Sequence, residues 1–155
     1  MLPILHDPNP ELREISDPFD LTSLASPDVQ DWLDELVETM KQADGIGIAA
    51  PQTGTKKRVI VVQIKNEPHV FINPKIISRS LQTIESEEGC LSVPNVFGMV
   101  QRSKRVKVKA WNRKGEKIII KTDPAEAIIF QHEIDHLDGI LFIDKVDHFT
   151  RPPRL

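Results

Sequence analysis

Residues 123–139 read DPAEAIIFQHEIDHLDG, and this stretch predicts the helix around which the fold is built. Asp123 can cap the first turn, Pro124 suits the first helical position, and Glu126 completes a capping box. Gly139 is typical of the position just past a helix end. The sequence therefore predicts one helix that starts at the Asp-Pro pair and stops before the glycine.

The same helix carries a His-Glu-x-x-His pattern at His132, Glu133 and His136. Residues four apart lie on one helix face, so the two imidazoles can bind one metal ion from the same side. Glu133 is about 100° round the helix from His132, where it can hold a water molecule and move its proton. The alternative is an exposed, charged helix face with two ordinary histidines. The pattern alone predicts a generic metal-dependent hydrolase.

A catalytic metal site of this kind needs a third protein ligand. Residues 137–155 contain no glutamate, and Phe142 stands where a metzincin-type protease would place its third histidine. We therefore expect the ligand upstream, and Cys90 is the candidate because a thiolate binds borderline metals well. The alternative for this cysteine is a small buried hydrophobic side chain.

The composition indicates the class of protein. The chain has 155 residues, 28% of them charged, and a net charge of −3, which predicts one soluble globular domain. We expect a cytoplasmic protein with no membrane partner. A single cysteine cannot form an internal disulfide bond and so requires no oxidising compartment, and the N-terminus lacks the pattern of a signal peptide. The negative net charge argues against a broad basic surface and a specific nucleic-acid partner, though not against a small basic patch.

A second helix is predicted near the N-terminus. Ser26-Pro27-Asp28 predicts its start, with the Ser26 hydroxyl as N-cap, and Gly45 marks its end or the next loop. The apolar positions between them recur at helical spacing and predict an amphipathic helix: Val29, Trp32, Leu33, Leu36, Val37 and Met40.

Strand patterns lie between the two helices. The segments are 59–64, 71–77, 105–112 and 117–121, the last two forming a hairpin. Pro74 interrupts the second segment, which suits an edge strand or a bend. Residues 144–155 show no periodicity and are expected to be irregular. The whole predicts an α+β fold with mostly antiparallel strands around a central metal-binding helix, plus the N-terminal amphipathic helix.

Three segments resemble the motifs of peptide deformylases. Residues 45–52, GIGIAAPQ, are similar to the family's GxGxAAxQ motif, residues 88–92 to its EGCLS motif, and residues 131–139 to its QHExDHLxG motif. The first segment alone would fit a plain turn, but the three in this order are specific. The resemblance runs from Leu5 to Asp144. It implies removal of the formyl group from the N-formylmethionine of newly made polypeptides by metal-assisted amide hydrolysis.

The resemblance also implies a metal centre and its catalytic groups. One divalent metal ion would be bound by Cys90, His132 and His136. The family usually carries Fe(II), with Ni(II), Co(II) or Zn(II) as substitutes, and imidazole and thiolate ligands accept all four. Glu133 would move the proton of the attacking water, while the Gln52 side-chain amide and the Leu91 backbone N–H would stabilise the oxyanion.

The substrate is expected to be an N-formylmethionyl peptide or a nascent chain. The family holds the peptide as an added strand, here against backbone groups near Ile46, Gly47 and Gly89, where small residues allow a close approach. Ile128 and Ile129 share the helix face of the metal ligands and, with Ile46, are candidates for an apolar methionine pocket. The alternative for these isoleucines is ordinary core packing.

Three further expectations concern the surroundings of the site and the extent of the domain. Arg102 and Asp135 are hypothesised to pair and to orient a ligand histidine or the Cys90 loop. Residues 1–155 are expected to form a single catalytic domain without the long C-terminal helix of many bacterial members, which leaves ribosome contact open. Two other functions are a metallopeptidase acting on internal peptide bonds and a non-enzymatic metal site. The missing downstream ligand argues against the first, and a set of only three ligands argues against the second.

Overall fold

The computed structural model describes residues 1–151, which form two antiparallel sheets and two α-helices. The helices are α1 (Pro27–Gln42) and α2 (Pro124–Leu137). The strands are β1 (Gly47–Ala49), β2 (Val59–Ile64), β3 (Glu67–Arg79), β4 (Thr83–Cys90), β5 (Val93–Ser103), β6 (Val106–Trp111), β7 (Lys117–Lys121) and β8 (Val146–Arg151). This confirms the predicted α+β class with mostly antiparallel strands.

The larger sheet lies between the two helices. Its strand order is β1-β2-β3-β6-β7, and the smaller sheet has the order β4-β5-β8. Strand β2 is buried on both faces: Ile60 and Val62 pack on the α2 side with Phe130, whereas Val59 and Val61 pack on the α1 side. Because α2 contacts β1, β2 and β5, it is packed against both sheets.

Helix α2 has the predicted boundaries. The Asp123 side chain accepts a hydrogen bond from the Glu126 N–H at 2.8 Å, and the Glu126 side chain accepts one from the Asp123 N–H at 2.9 Å. The helix ends at Leu137, and Gly139 has a φ of +74°, a conformation that glycine adopts without strain. Most side chains of its last two turns are buried, so α2 is the central helix.

Helix α1 begins at the predicted position but with a different cap. Ser26 is the N-cap residue, yet its hydroxyl makes no capping hydrogen bond, so that detail of the prediction is wrong. Pro27 has no N–H to satisfy, and the Ser26 carbonyl accepts the first helical hydrogen bond from the Gln30 N–H at 3.1 Å. Leu36 and Met40 are buried, as the amphipathic pattern predicts. Neither helix of the described residues has both the length and the apolar character needed to cross a bilayer.

The expectation of an irregular C-terminal segment is wrong for residues 146–151. These residues form β8, which pairs with β5 although most of its side chains are exposed. The strand depends on backbone pairing and on Val146, which packs so closely on Gly98 that a Cβ there would lie 2.6 Å from it. Such a strand leaves no hydrophobic alternation in the sequence. Residues 152–155 lie outside the described part of the chain.

Strand β3 is longer than predicted and lies in the middle of its sheet. Pro74 falls in a β-bulge between Ile72 and Lys75, so the bend was the correct alternative and the edge strand was not. The Asn73 side chain fixes this bulge, because it accepts from the Phe19 N–H at 2.7 Å and donates to the Phe19 carbonyl at 3.0 Å.

Candidate active site

A cavity of about 460 Å³ opens between β1 and β4, each of which is an edge strand of its sheet as far as residue 151. Its walls come from β1, the end of β4, the start of β5 and one face of α2. Most of the predicted site residues line it: Ile46, Gly47, Gln52, Gly89, Cys90, Leu91, Ile128, Ile129, His132 and Glu133. Segments far apart in sequence therefore meet at one place.

Three potential metal ligands lie together where α2 meets the end of β4, and two of them, Cys90 and His132, line the cavity. Cys90 ends β4, and His132 and His136 lie one turn apart on α2, with ring centroids 5.2 Å apart. The ligand atoms of the three side chains all lie within 4.8 Å of one another, and the Cys90 Sγ is 3.3 Å from the His136 Nε2. One thiolate and two imidazoles suit Fe(II), Co(II), Ni(II) or Zn(II) better than Mg²⁺ or Ca²⁺.

The pKa values of the two histidines are shifted in opposite directions. Burial lowers the pKa of His136 well below its ordinary value, which keeps the ring neutral, as a metal ligand must be. Burial also opposes protonation of His132, but hydrogen bonds with Cys90 and Glu88 outweigh it and raise the pKa of His132 well above its ordinary value. A metal ion that binds His132 must therefore displace a proton from the ring.

A buried ion-pair network orients the His132 ring through its Nδ1 atom. The Nδ1 of His132 lies 2.8 Å from the Glu88 Oε1, and both Glu88 oxygens accept hydrogen bonds from Arg102 at 2.8 Å. Arg102 also donates to Asp135 at 2.7 Å. Burial alone would raise the pKa of Glu88, but Arg102 and His132 hold it at about 2. An ionised Glu88 fixes the ring so that Nε2 is left to bind a metal.

Glu133 is buried beside β1. A Cβ on Gly47 would lie 2.7 Å from the Glu133 Oε1, so only glycine leaves room for the carboxylate there. The Glu133 Oε2 is buried and has no hydrogen-bond partner among the described residues. Burial raises the pKa of Glu133 to about 7, despite the opposing effect of His132. A carboxylate of this kind can both accept and release a proton near neutral pH.

The Gln52 side chain has a fixed orientation. Its Oε1 accepts a hydrogen bond from the Ala49 N–H at 2.8 Å. Its Nε2 donates to the Ser92 hydroxyl at 3.0 Å and lies 3.5 Å from the Cys90 Sγ. The amide therefore presents its N–H donors on the side of the cysteine, where a developing negative charge on a substrate oxygen could be stabilised.

The predicted substrate residues occupy different parts of the cavity. Ile46 is 59% exposed at the mouth, whereas Ile128 and Ile129 are half-buried in the wall. Ile129 also packs against the core beneath α2, so its two suggested roles coexist. Gly89 lies against the Phe97 ring, where a Cβ would be 2.5 Å from the nearest ring carbon.

Three predicted residues, His136, Arg102 and Asp135, lie behind the cavity wall rather than on it. Three further residues of the site, Glu88, Ser92 and Phe97, were not predicted to have a role. Glu88 and Ser92 each lie two residues from Cys90 in the EGCLS segment. This proximity to a predicted metal ligand is the sequence feature that could have identified them. Phe97 could not be identified as a site residue from the sequence, because no pattern predicted the β4–β5 pairing that places it against Gly89.

Comparison with known proteins agrees with this geometry. The family model described as Polypeptide deformylase matches residues 1–152. Peptide deformylase 2 of Xanthomonas campestris pv. campestris is 42% identical over 154 residues, which cover 97% of this chain and 90% of that protein.

Two solved structures have closely similar folds. The Met-Ala-Ser-bound crystal structure of the class I type b peptide deformylase from Acinetobacter baumannii has a TM-score of 0.91 and 36% identity, covering 94% of this chain and 98% of that one. A probable peptide deformylase from Synechococcus phage S-SSM7 has a TM-score of 0.85 and 40% identity, covering 94% and 99%.

Proposed function

Because the chain belongs to the peptide deformylase family, it is a hydrolase that removes the formyl group from newly made polypeptides, and we propose that Cys90, His132 and His136 hold the metal ion on which this family depends. The single observation that supports the ligand set is the convergence of the three donor atoms to within 4.8 Å of one another. When bound there, a divalent ion supplies Lewis-acid activation of water and of the formyl carbonyl.

The chain's own residues account for the proton transfer and the oxyanion. Glu133 Oε2, which has no partner among residues 1–151, takes a proton from the attacking water and delivers it to the departing nitrogen. The formyl carbon gains the hydroxyl and leaves as formate, the C–N bond breaks, and the peptide gains a free amine. The Gln52 Nε2 and the Leu91 backbone N–H donate to the formyl oxygen as it becomes an oxyanion.

The peptide pairs as an extra strand in the gap between β1 and β4. Both are edge strands of the described sheets, so each has backbone groups with which an added strand can pair. The methionine side chain enters the apolar wall formed by Ile128 and Ile129 with Ile46 at the mouth. Arg102 and Asp135 act indirectly, through Glu88, by holding His132 in orientation.

Fe(II) is our proposal for the native metal, with Ni(II), Co(II) and Zn(II) as substitutes. The thiolate and imidazole donors support this group of ions but do not separate them. We also propose that residues 1–155 act as one catalytic domain in the cytoplasm. The packing of α2 on strands of both sheets supports a single unit, and the lone cysteine requires no oxidising compartment.

Substrate choice tests this function. The protein, purified without oxygen and loaded with Fe(II), is given formyl-Met-Ala-Ser, acetyl-Met-Ala-Ser and N-terminally blocked casein. We expect rapid formate release from the first, little deacetylation of the second because its additional methyl group crowds the site, and no cleavage of casein. Cleavage of casein without formate release would instead identify a metallopeptidase. Stoichiometric metal binding with no turnover of any substrate would identify a structural metal site.

A further inference from the structure

One face of the larger sheet carries a row of lysines on three adjacent strands. We call it the lysine face, and its residues are Lys75, Lys107, Lys109, Lys117 and Lys121. Strand register places Lys75 opposite Lys109 and Lys107 opposite Lys121. These like charges are therefore direct cross-strand neighbours.

The lysine face is the face turned away from α2. Val106, Val108 and Ala110 of β6 pack in the core beneath α2, so the alternating Lys107 and Lys109 lie on the other side of the sheet. Helix α1 shares that side but packs mainly against β1, β2 and β3. The β7 lysines are consequently exposed, and the β6 lysines are half-buried at the edge of the α1 packing.

The lysine face forms no close ion pair within the described chain. As far as residue 151, none of the five lysines forms an ion pair, while Lys109 lies 5.7 Å above the Trp111 ring. Like charges directly opposite one another in a sheet are destabilising. A positive face on a chain of net charge −3 is thus a local concentration that an anionic partner would relieve.

We propose that the lysine face binds the phosphate backbone of double-stranded RNA. Lysine is a compact point charge suited to phosphate, and phosphate contacts need no base recognition. Protein interfaces are depleted in lysine, and membrane binding needs several apolar side chains. On β3, β6 and β7 the exposed large apolar residues of the described chain are Ile77 and Ile119. The face spans about 10 Å across three strands and about 13 Å along them, room for several phosphates.

RNA on this face would leave the active site free. The sheet and α2 separate the lysine face from the cavity, so a peptide and an RNA duplex can bind together. The substrate is a newly made polypeptide, and the ribosome that makes it has a surface rich in RNA. The binding is independent of sequence, which is compatible with the expectation that the protein has no specific nucleic-acid target.

The test measures binding of a 20-base-pair RNA duplex by fluorescence anisotropy between roughly 50 and 200 mM KCl. The triple variant Lys107→Gln, Lys109→Gln, Lys121→Gln is compared with a control of equal charge change, Lys41→Gln, Lys57→Gln, Lys65→Gln. We expect the face variant to lose about tenfold or more in affinity at the lowest salt and to reduce the salt slope by about three. The control should stay within about twofold of the wild type.

Several outcomes would overturn the proposal. The first is no binding of the RNA duplex by the wild type at the lowest salt. The second is an equal loss of duplex affinity in the control variant. The third is binding of the protein to phosphatidylserine vesicles or polyglutamate but not to RNA. Turnover of formyl-Met-Ala-Ser should be unchanged in both triple variants and reports an intact fold. If the face variant does not fold, the exposed pair Lys75→Gln, Lys117→Gln should reduce the slope by about two, and an unchanged slope would refute the proposal. Binding is read without turnover, so it is independent of the proposed function.

Discussion

The Glu88 carboxylate lies 2.8 Å from the Nδ1 of His132, and both of its oxygens accept hydrogen bonds from Arg102. This contact links a ligand histidine on α2 to the same segment that supplies Cys90. The orientation of His132 therefore depends on β4 as well as on its own helix.

Replacing Glu88 should weaken metal binding without removing a ligand. We expect Glu88→Ala to lower metal affinity by about 10- to 100-fold, because the His132 ring loses its orienting partner. Glu88→Gln should lose less, since its amide oxygen can still accept from Nδ1. Metal affinity is measured by competition with a chelator. Glu87→Gln, a half-exposed neighbour, is the control and should bind metal as the wild type does; equal loss in that variant would contradict the assignment.

Replacing Arg102 should destabilise the fold. Arg102→Ala leaves Glu88, whose side chain is 4% exposed, with only His132 as a partner, whereas Asp135 keeps Lys145 at 2.9 Å. Breaking a buried pair in this way costs about 3–5 kcal/mol of the free energy of unfolding. The measurement is denaturant unfolding, alongside metal content and activity. A variant that kept full stability, metal affinity and activity would show that the network has no role.

Gly47 should be intolerant of any side chain. In Gly47→Ala the new methyl group meets the Glu133 carboxylate at 2.7 Å and displaces it from its position. We expect kcat/KM to fall by about 10²-fold or more while the protein still binds its metal. Gly45→Ala is the matched variant, because its methyl group would meet the Leu91 Cδ1 at 3.0 Å, at the end of a side chain that can move. Equal losses in the two variants would argue against a specific effect on Glu133.

Ile128 and Ile129 should separate binding from stability. Ile128→Ala enlarges the cavity wall and should raise KM for formyl-Met-Ala-Ser by about 10-fold, with little change in kcat. Ile129→Ala should also lower the free energy of unfolding, because Ile129 packs against the core beneath α2. Steady-state kinetics and urea unfolding measure both effects. An unchanged KM in Ile128→Ala would show that Ile128 only packs in the protein and does not bind the methionine side chain.

The parts of the site that were predictable depend on local spacing. His132, Glu133 and His136 lie on one helix whose capping residues are explicit in the sequence, so their mutual geometry follows from the helix itself. Cys90 was predicted as the third ligand because no suitable residue follows His136 and because residues 88–92 resemble the family's EGCLS motif. Its position depends on the pairing of β4 with β5, which the acid-rich TIESEEGC segment did not predict.

The remainder depended on tertiary contacts that leave no periodic signal. Strand β8 is mostly exposed and is held by backbone pairing, so it has no hydrophobic alternation. The hydrogen bond between Glu88 and His132 joins residues 44 apart in the chain. The lysine face was also not apparent, because the net charge of the chain is negative and the cross-strand pairs emerge only from the register of β3, β6 and β7.

The role of Glu133 is tested by formate release from formyl-Met-Ala-Ser by Fe(II)-loaded wild type and Glu133→Gln, with metal content measured on the same samples. The substitution preserves size and removes the group that accepts the proton. We predict rapid release by the wild type, a loss of about 10²- to 10⁴-fold in Glu133→Gln, and about one metal ion per chain in both. Undiminished turnover in Glu133→Gln, or loss of the metal together with turnover, would contradict the role assigned to Glu133.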